Sequence, residues 1–162
     1  LELVAIWAHH MRQGAPCPIV PILVGSFARY LAGGNPADDP MLQTLVSTLR
    51  GALAGRKPLV IVSGDMAHVG PAFGGDALGA SDKAALRDAD HAVIERLKAG
   101  DAAGFFNAVA ADGDKYNICG FPPLYLALHL MGGGTGEFVG YTQCPADEDE
   151  TSLVSICGMV FG

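Results

Sequence analysis

The chain has no run of lysine and arginine longer than Arg56-Lys57, and its ten basic residues face seventeen acidic ones, for a net charge of −7. Nucleic-acid binding needs a concentrated basic stripe, so no nucleic-acid partner is expected. No apolar run approaches the roughly 20 residues that cross a bilayer, and no charged-then-apolar leader is read at its start, so no membrane partner is expected. The four cysteines, Cys17, Cys119, Cys144 and Cys157, form no Cys-x-x-Cys pair. A zinc ribbon or thioredoxin-type site is therefore unsupported, and cytoplasmic location with reduced thiols is the default expectation. No glycine-rich stretch ends in Lys-Ser/Thr, and Gly132-Gly133-Gly134 follows an apolar helical stretch instead of preceding one, so no nucleotide cofactor is expected. Internal repeats are also missing. Only 17% of residues are charged and half are apolar, the balance of a folded chain with a sizeable core. One domain over 1–162 is the expectation.

Two continuous aliphatic runs, Cys17 to Val24 and Leu59 to Val62, read as strands covered on both faces. Between them Asp39 and Pro40 form an N-cap and first helical residue, Leu42, Leu45, Val46, Leu49 and Leu53 recur at helical spacing, and Gly55 supplies the stop. Strand, helix, strand implies parallel pairing with a right-handed crossover. Further helices are expected over 1–12, after a cap at Ser81 or Asp82, after Asp101, and over Leu124 to Met131. Phe138 to Cys144 and Ser152 to Phe161, joined by a turn holding Asp147 to Glu150, read as an antiparallel hairpin at a sheet edge. The expected fold class is α/β, a mostly parallel central sheet flanked by helices with a C-terminal antiparallel hairpin.

The strand ending in Ser63-Gly64-Asp65-Met66-Ala67-His68 is the first candidate site, because open α/β sheets place ligand crevices at the carboxyl ends of strands. Asp65 reads either as an ordinary turn residue or as a carboxylate orienting His68 for proton transfer. Cys119, in Ile118-Cys119-Gly120, reads either as a small buried hydrophobe or as a thiolate favoured by the helix start that follows. His9 and His10 are adjacent, so on a helix at most one faces a given site. His91 is expected to be solvated, and His129 to face the core or a partner.

In order along the chain, Ile19 to Gly25, Ser63 to Gly70, Ile118 to Gly120, Tyr141-x-Gln143 and the terminal segment from Ser152 to Gly162 resemble the Memo-like proteins. These are also called AmmeMemoRadiSam system protein B and are structurally related to class III extradiol dioxygenases. The resemblance spans about residues 17–162. It implies that Asp65 and His68 line a pocket as catalytic residues, and that Cys119 is a metal ligand where the dioxygenases carry a carboxylate. Ala8-His9-His10 resembles the family's Glu-His-Ser motif, which puts His9 in register as a second metal ligand. The family's Pro-His-Ala-Gly motif has no equivalent, so the fold is expected to be class III dioxygenase-like without its N-terminal half. The implied cofactor is iron, with copper or zinc as alternatives. The implied activity is metal-dependent redox or dioxygenase-type chemistry on a small molecule. The alternative is a non-catalytic protein that binds a peptide or partner in a radical SAM system.

Overall fold

The computed structural model describes residues 1–162, and its helices begin where the first backbone N–H groups find acceptors or are replaced by proline. The helices are α1 (Glu2–Met11), α2 (Ala28–Leu31), α3 (Pro40–Leu53), α4 (Ala80–Lys98), α5 (Ala102–Ala110) and α6 (Phe121–Met131); the strands are β1 (His68–Val69), β2 (Gly136–Pro145) and β3 (Leu153–Phe161). Asp39 caps α3, accepting from the Met41 N–H at 2.8 Å ahead of Pro40 at the first position. Asp101 caps α5 through the Gly104 N–H, also at 2.8 Å. At α4 the cap residue is Gly79, not Ser81 or Asp82. Asp82 acts one turn later, its carboxylate reaching back to the Gly79 N–H at 2.8 Å. α6 starts before Leu124, at Phe121, because Pro122 and Pro123 occupy first-turn positions whose N–H groups have no intrahelical acceptor.

The core lies where α4, α5 and α6 meet. Val93, Ile94, Leu97, Phe105, Phe106, Val109, Tyr125 and Leu128 pack there with Met66 and Ile118 from the connecting segments. Phe121, 1% exposed, is the hub: its ring lies 5.4 Å from Phe27, 5.5 Å from Phe105 and 5.7 Å from Phe106. These are ordinary aromatic pair distances, and they fix the first turn of α6 against two other elements.

The sheet has strand order β1-β3-β2 with both pairings antiparallel. The expected hairpin is present, running from Gly136↔Phe161 to Pro145↔Leu153, with a register shift between Phe138 and Gly140. Asp147 ties its turn, accepting from the Thr151 N–H at 2.7 Å and the Thr151 hydroxyl at 2.9 Å. Hydrogen bonds from Ser152 and Thr151 pull the Asp147 carboxyl down to about 2.

The expected parallel central sheet requires a correction. Neither 17–25 nor 57–64 makes a backbone–backbone hydrogen bond, and neither run belongs to a helix or a strand. Leu23 is 88% exposed and Leu59 84%. Both runs have the composition of buried strands, but a strand forms only through hydrogen bonds to a partner, and neither run makes one. α1 likewise buries no residue. What the structure has is a mixed helix-and-sheet chain with a small antiparallel sheet, and no helix is long and apolar enough to cross a membrane.

Two outcomes follow from this packing. Phe121→Ala should cost about 3–5 kcal/mol in urea unfolding, the range for emptying a buried aromatic site. Because the Asp147 carboxyl is held below its ordinary value, its contribution is present above about pH 4 and disappears as pH falls through about 2. Amide-exchange protection of the hairpin should fall in that window, and Asp147→Asn should remove the fall.

Candidate metal centre

Two short segments, distant in sequence, are pressed together to make the site. One is 64–68. Strand β3 holds its middle: the Met66 N–H donates to the Ser155 carbonyl at 2.8 Å, the Ser155 N–H donates to the Ala67 carbonyl at 3.0 Å, and the Ala67 N–H donates to Ser155 Oγ at 2.9 Å. Met66 and Ala67 are buried by this contact, so Asp65 and His68, on either side of them, stay half-buried at the surface. The other segment, 116–120, precedes α6. It meets the first through the His68 N–H donating to the Tyr116 carbonyl at 2.7 Å and the Gly120 N–H donating to the Asp65 carbonyl at 2.8 Å. Glycine is needed on both sides. A Cβ at Gly64 would lie 2.6 Å from the Gly120 Cα, and one at Gly120 would lie 2.7 Å from the Asp65 carbonyl oxygen.

This pinch delivers three side chains to one place. The ligand atoms of Asp65, His68 and Cys119 all lie within 4.8 Å of one another. The His68 Nδ1 is 3.2 Å from the Asn117 carbonyl oxygen. A carbonyl only accepts, so the neutral ring carries its proton on Nδ1 and presents the Nε2 lone pair to Asp65 Oδ2, 3.5 Å away. Asn117 also donates from Nδ2 to the His68 carbonyl at 3.3 Å, and the Phe73 ring stands edge-on to the imidazole at 5.1 Å. Asn117 holds its carbonyl there at φ +52, a left-handed conformation that asparagine tolerates better than most residues.

The Cys119 sulfur accepts the Asp65 N–H at 3.1 Å. The helix start does not make this thiol more acidic, as its position suggested. Burial pushes the Cys119 thiol up, the charges of Asp65 and Asp114 push the same way, and only the Asp65 N–H opposes them. The cluster is therefore rich in electron pairs and poor in positive charge: a carboxylate, an imidazole lone pair and a sulfur face one another with no lysine or arginine ion-paired to Asp65. Three such donors of oxygen, nitrogen and sulfur type fit a divalent transition metal. Bonds of about 2.0–2.3 Å put ligand atoms about 3–4.5 Å apart, close to the spacing found.

His9 is not part of this cluster; it is exposed on α1. His91 is exposed and its ring lies 5.0 Å from Tyr141. His129 is half-buried, 4.5 Å from the Tyr125 ring, with an unpartnered Nε2. Asn117 and Ser155, unremarked among the candidate residues of the sequence, turn out to hold the site. Only the presence of Ser155 in the terminal motif segment hinted at it.

Residues 16–160 match the family model described as Memo-like protein. The chain belongs to the Memo-like protein family. The search among curated proteins gives no match. The span shared with the Memo-like family contains Asp65, His68 and Cys119 and leaves out His9, so the cluster is built entirely from the Memo-like part of the chain.

Gly64→Ala should force the two segments apart and destabilise the fold by about 1–3 kcal/mol, the cost of overpacking. Gly25→Ala, with nothing within 4 Å of its new Cβ, should change stability by less than about 0.5 kcal/mol. Urea unfolding of the pair checks both.

Proposed function

We propose that Asp65, His68 and Cys119 form a transition-metal site, with iron the favoured ion and copper or zinc as alternatives, and that this Memo-like domain uses it for redox or dioxygenase-type chemistry on a small molecule. The observation that carries this reading is the convergence of three electron-pair donors within 4.8 Å, with one of them, His68, fixed in the tautomer that leaves Nε2 free. A bound iron would supply an electrophilic centre able to hold an oxygen-bearing substrate and dioxygen, as in the class III extradiol dioxygenases that the family resembles. In that setting Cys119 contributes the anionic sulfur. The Asn117 carbonyl keeps the imidazole aimed, and Phe73 covers one side of it. Asp65 would add its carboxylate oxygen to the set, Oδ2 lying 3.5 Å from His68 Nε2. His9 would join the set only through a movement of α1, which buries no residue.

A second reading is favoured by one specific observation: the apolar runs 17–25 and 57–64 are largely exposed and make no backbone hydrogen bond. Such backbone takes up a strand from another chain, which suits a protein partner such as a radical SAM enzyme. Mixing the protein with such an enzyme should slow amide exchange at both runs; unchanged exchange at both contradicts this reading.

The metal reading predicts about one equivalent of iron, copper or zinc in the purified protein by elemental analysis. Cys119→Ala should weaken that affinity by more than the roughly 10–100-fold seen when only outer-shell partners are lost. Intact, folded protein that takes up no stoichiometric metal overturns it.

A further inference from the structure

Helix α3 repeats Leu42, Leu45, Val46, Leu49 and Leu53 along one face, yet none of its residues is buried. A stripe of that spacing ordinarily disappears into a core. Between α3 and the end of α6 lies a cleft of about 410 Å³, lined by Leu42 and Val46 from one helix and by Tyr125 and Leu126 from the other. Protein interiors are close-packed, with few voids larger than a water molecule. A space of this size between facing apolar surfaces falls instead in the range of small-molecule sites.

Two polar groups meet at the same cleft. Arg50, one turn on from Val46, donates from Nε to the Leu130 carbonyl at 3.2 Å and from a terminal nitrogen to the His129 carbonyl. Those carbonyls satisfy two N–H groups and leave the charge unpaired, for no carboxylate is ion-paired to Arg50. No acidic side chain lines the cleft, although the chain as a whole stands at −7. His129 lines it too, and its Nε2 is shut off from water without a hydrogen-bond partner. Few buried polar atoms are left in that condition. Burial and the Arg50 charge push this imidazole down, so the ring is neutral and Arg50 alone supplies positive charge.

We propose that the α3–α6 cleft binds a small amphipathic carboxylate, its apolar body held between Leu42 and Val46 on one side and Tyr125 and Leu126 on the other, and its head group on Arg50 and His129. The walls take a hydrocarbon. The remaining guanidinium N–H groups fit a carboxylate, the planar acceptor that matches their fork. One cation balances one negative charge, which favours a carboxylate over a phosphate dianion. A neutral imidazole with its proton on Nε2 adds a further hydrogen bond to the same head group once the ring turns toward it. This site is separate from the metal cluster: Cys119 precedes Phe121, the first residue of α6, and His129 lies about 12 Å further along the helix axis. It therefore stands whether or not metal binds.

The test titrates octanoate, and 1-octanol as its uncharged counterpart, into the whole chain and follows methyl resonances by NMR. Octanoate should give saturable shifts at the Leu42, Val46 and Leu126 methyls. Arg50→Gln should weaken octanoate about 10-fold or more and leave 1-octanol within about 2-fold, as expected when a hydrogen bond to a charged group is lost. His129→Phe, which keeps an aromatic ring and removes the nitrogens, should weaken octanoate several-fold. Val46→Phe should fill the cleft and abolish both ligands. Urea unfolding checks that each variant is folded, and if Arg50→Gln is not, His129→Phe and Val46→Phe carry the same measurements. Octanoate affinity unchanged in folded Arg50→Gln and His129→Phe overturns the assignment of an anion. No saturable shift at the cleft methyls, or shifts spread instead over the exposed apolar runs 17–25 and 57–64, overturns the site.

Discussion

The close approach of Gly64 to Gly120 is the constraint on which the site depends. A hydrogen bond from the Gly120 N–H to the Asp65 carbonyl and one from the Asp65 N–H to the Cys119 sulfur cross the same gap in opposite directions. Each needs the backbones almost in contact, and a side chain on either glycine would part them. The same pinch limits where the functional groups can go. With positions 64 and 120 facing each other at the contact, Asp65 and Cys119 lie immediately beside it, and His68 follows three residues on, at the start of β1. The spacing of the three donor atoms follows from main-chain geometry more than from any side-chain choice.

Each half of the pinch is anchored independently. The 116–120 segment runs into α6, whose first residue, Phe121, is locked among Phe27, Phe105 and Phe106. The 64–68 segment is tied to β3 by Ser155, through both backbone bonds and the hydroxyl. Gly70 extends that attachment. At φ +103 it lets the chain lie against Ser152, whose hydroxyl accepts the Ala72 N–H at 2.9 Å. Aromatic packing on one side and sheet hydrogen bonding on the other thus converge on one pair of loops. Rigid elements flanking a short irregular segment are a common way to hold ligands within a fraction of an ångström.

Local signals in the sequence translated directly into structure. Asp39-Pro40 starts α3 and Asp101 starts α5 because a cap is decided by residues next to each other. The hairpin follows from alternation and a turn that Asp147 closes. Asp65, His68 and Cys119 were also legible as neighbours, through their motifs and the resemblance that orders them. What escaped was non-local. The runs at 17–24 and 59–62 have strand composition, but pairing needs a hydrogen-bonding partner, and neither run has one. The acidity of Cys119 does not follow from its helix start, since burial and the carboxylates of Asp65 and Asp114 outweigh that position. Asp90 and Tyr141, 51 residues apart in sequence, gave no sign of meeting. Ser155 drew attention only as part of a motif, with no hint that it holds Ala67.

The cluster brings no positive charge of its own: an imidazole, a sulfur and a carboxylate share a small volume, and no lysine or arginine is ion-paired to Asp65. A divalent metal held by the three donors would supply the opposite charge. X-ray absorption on the iron-loaded protein tests this most directly. The account predicts a mixed shell of light atoms with a single sulfur scatterer at about 2.3 Å, lost in Cys119→Ser. A shell of oxygen and nitrogen alone, unchanged by that substitution, would contradict it.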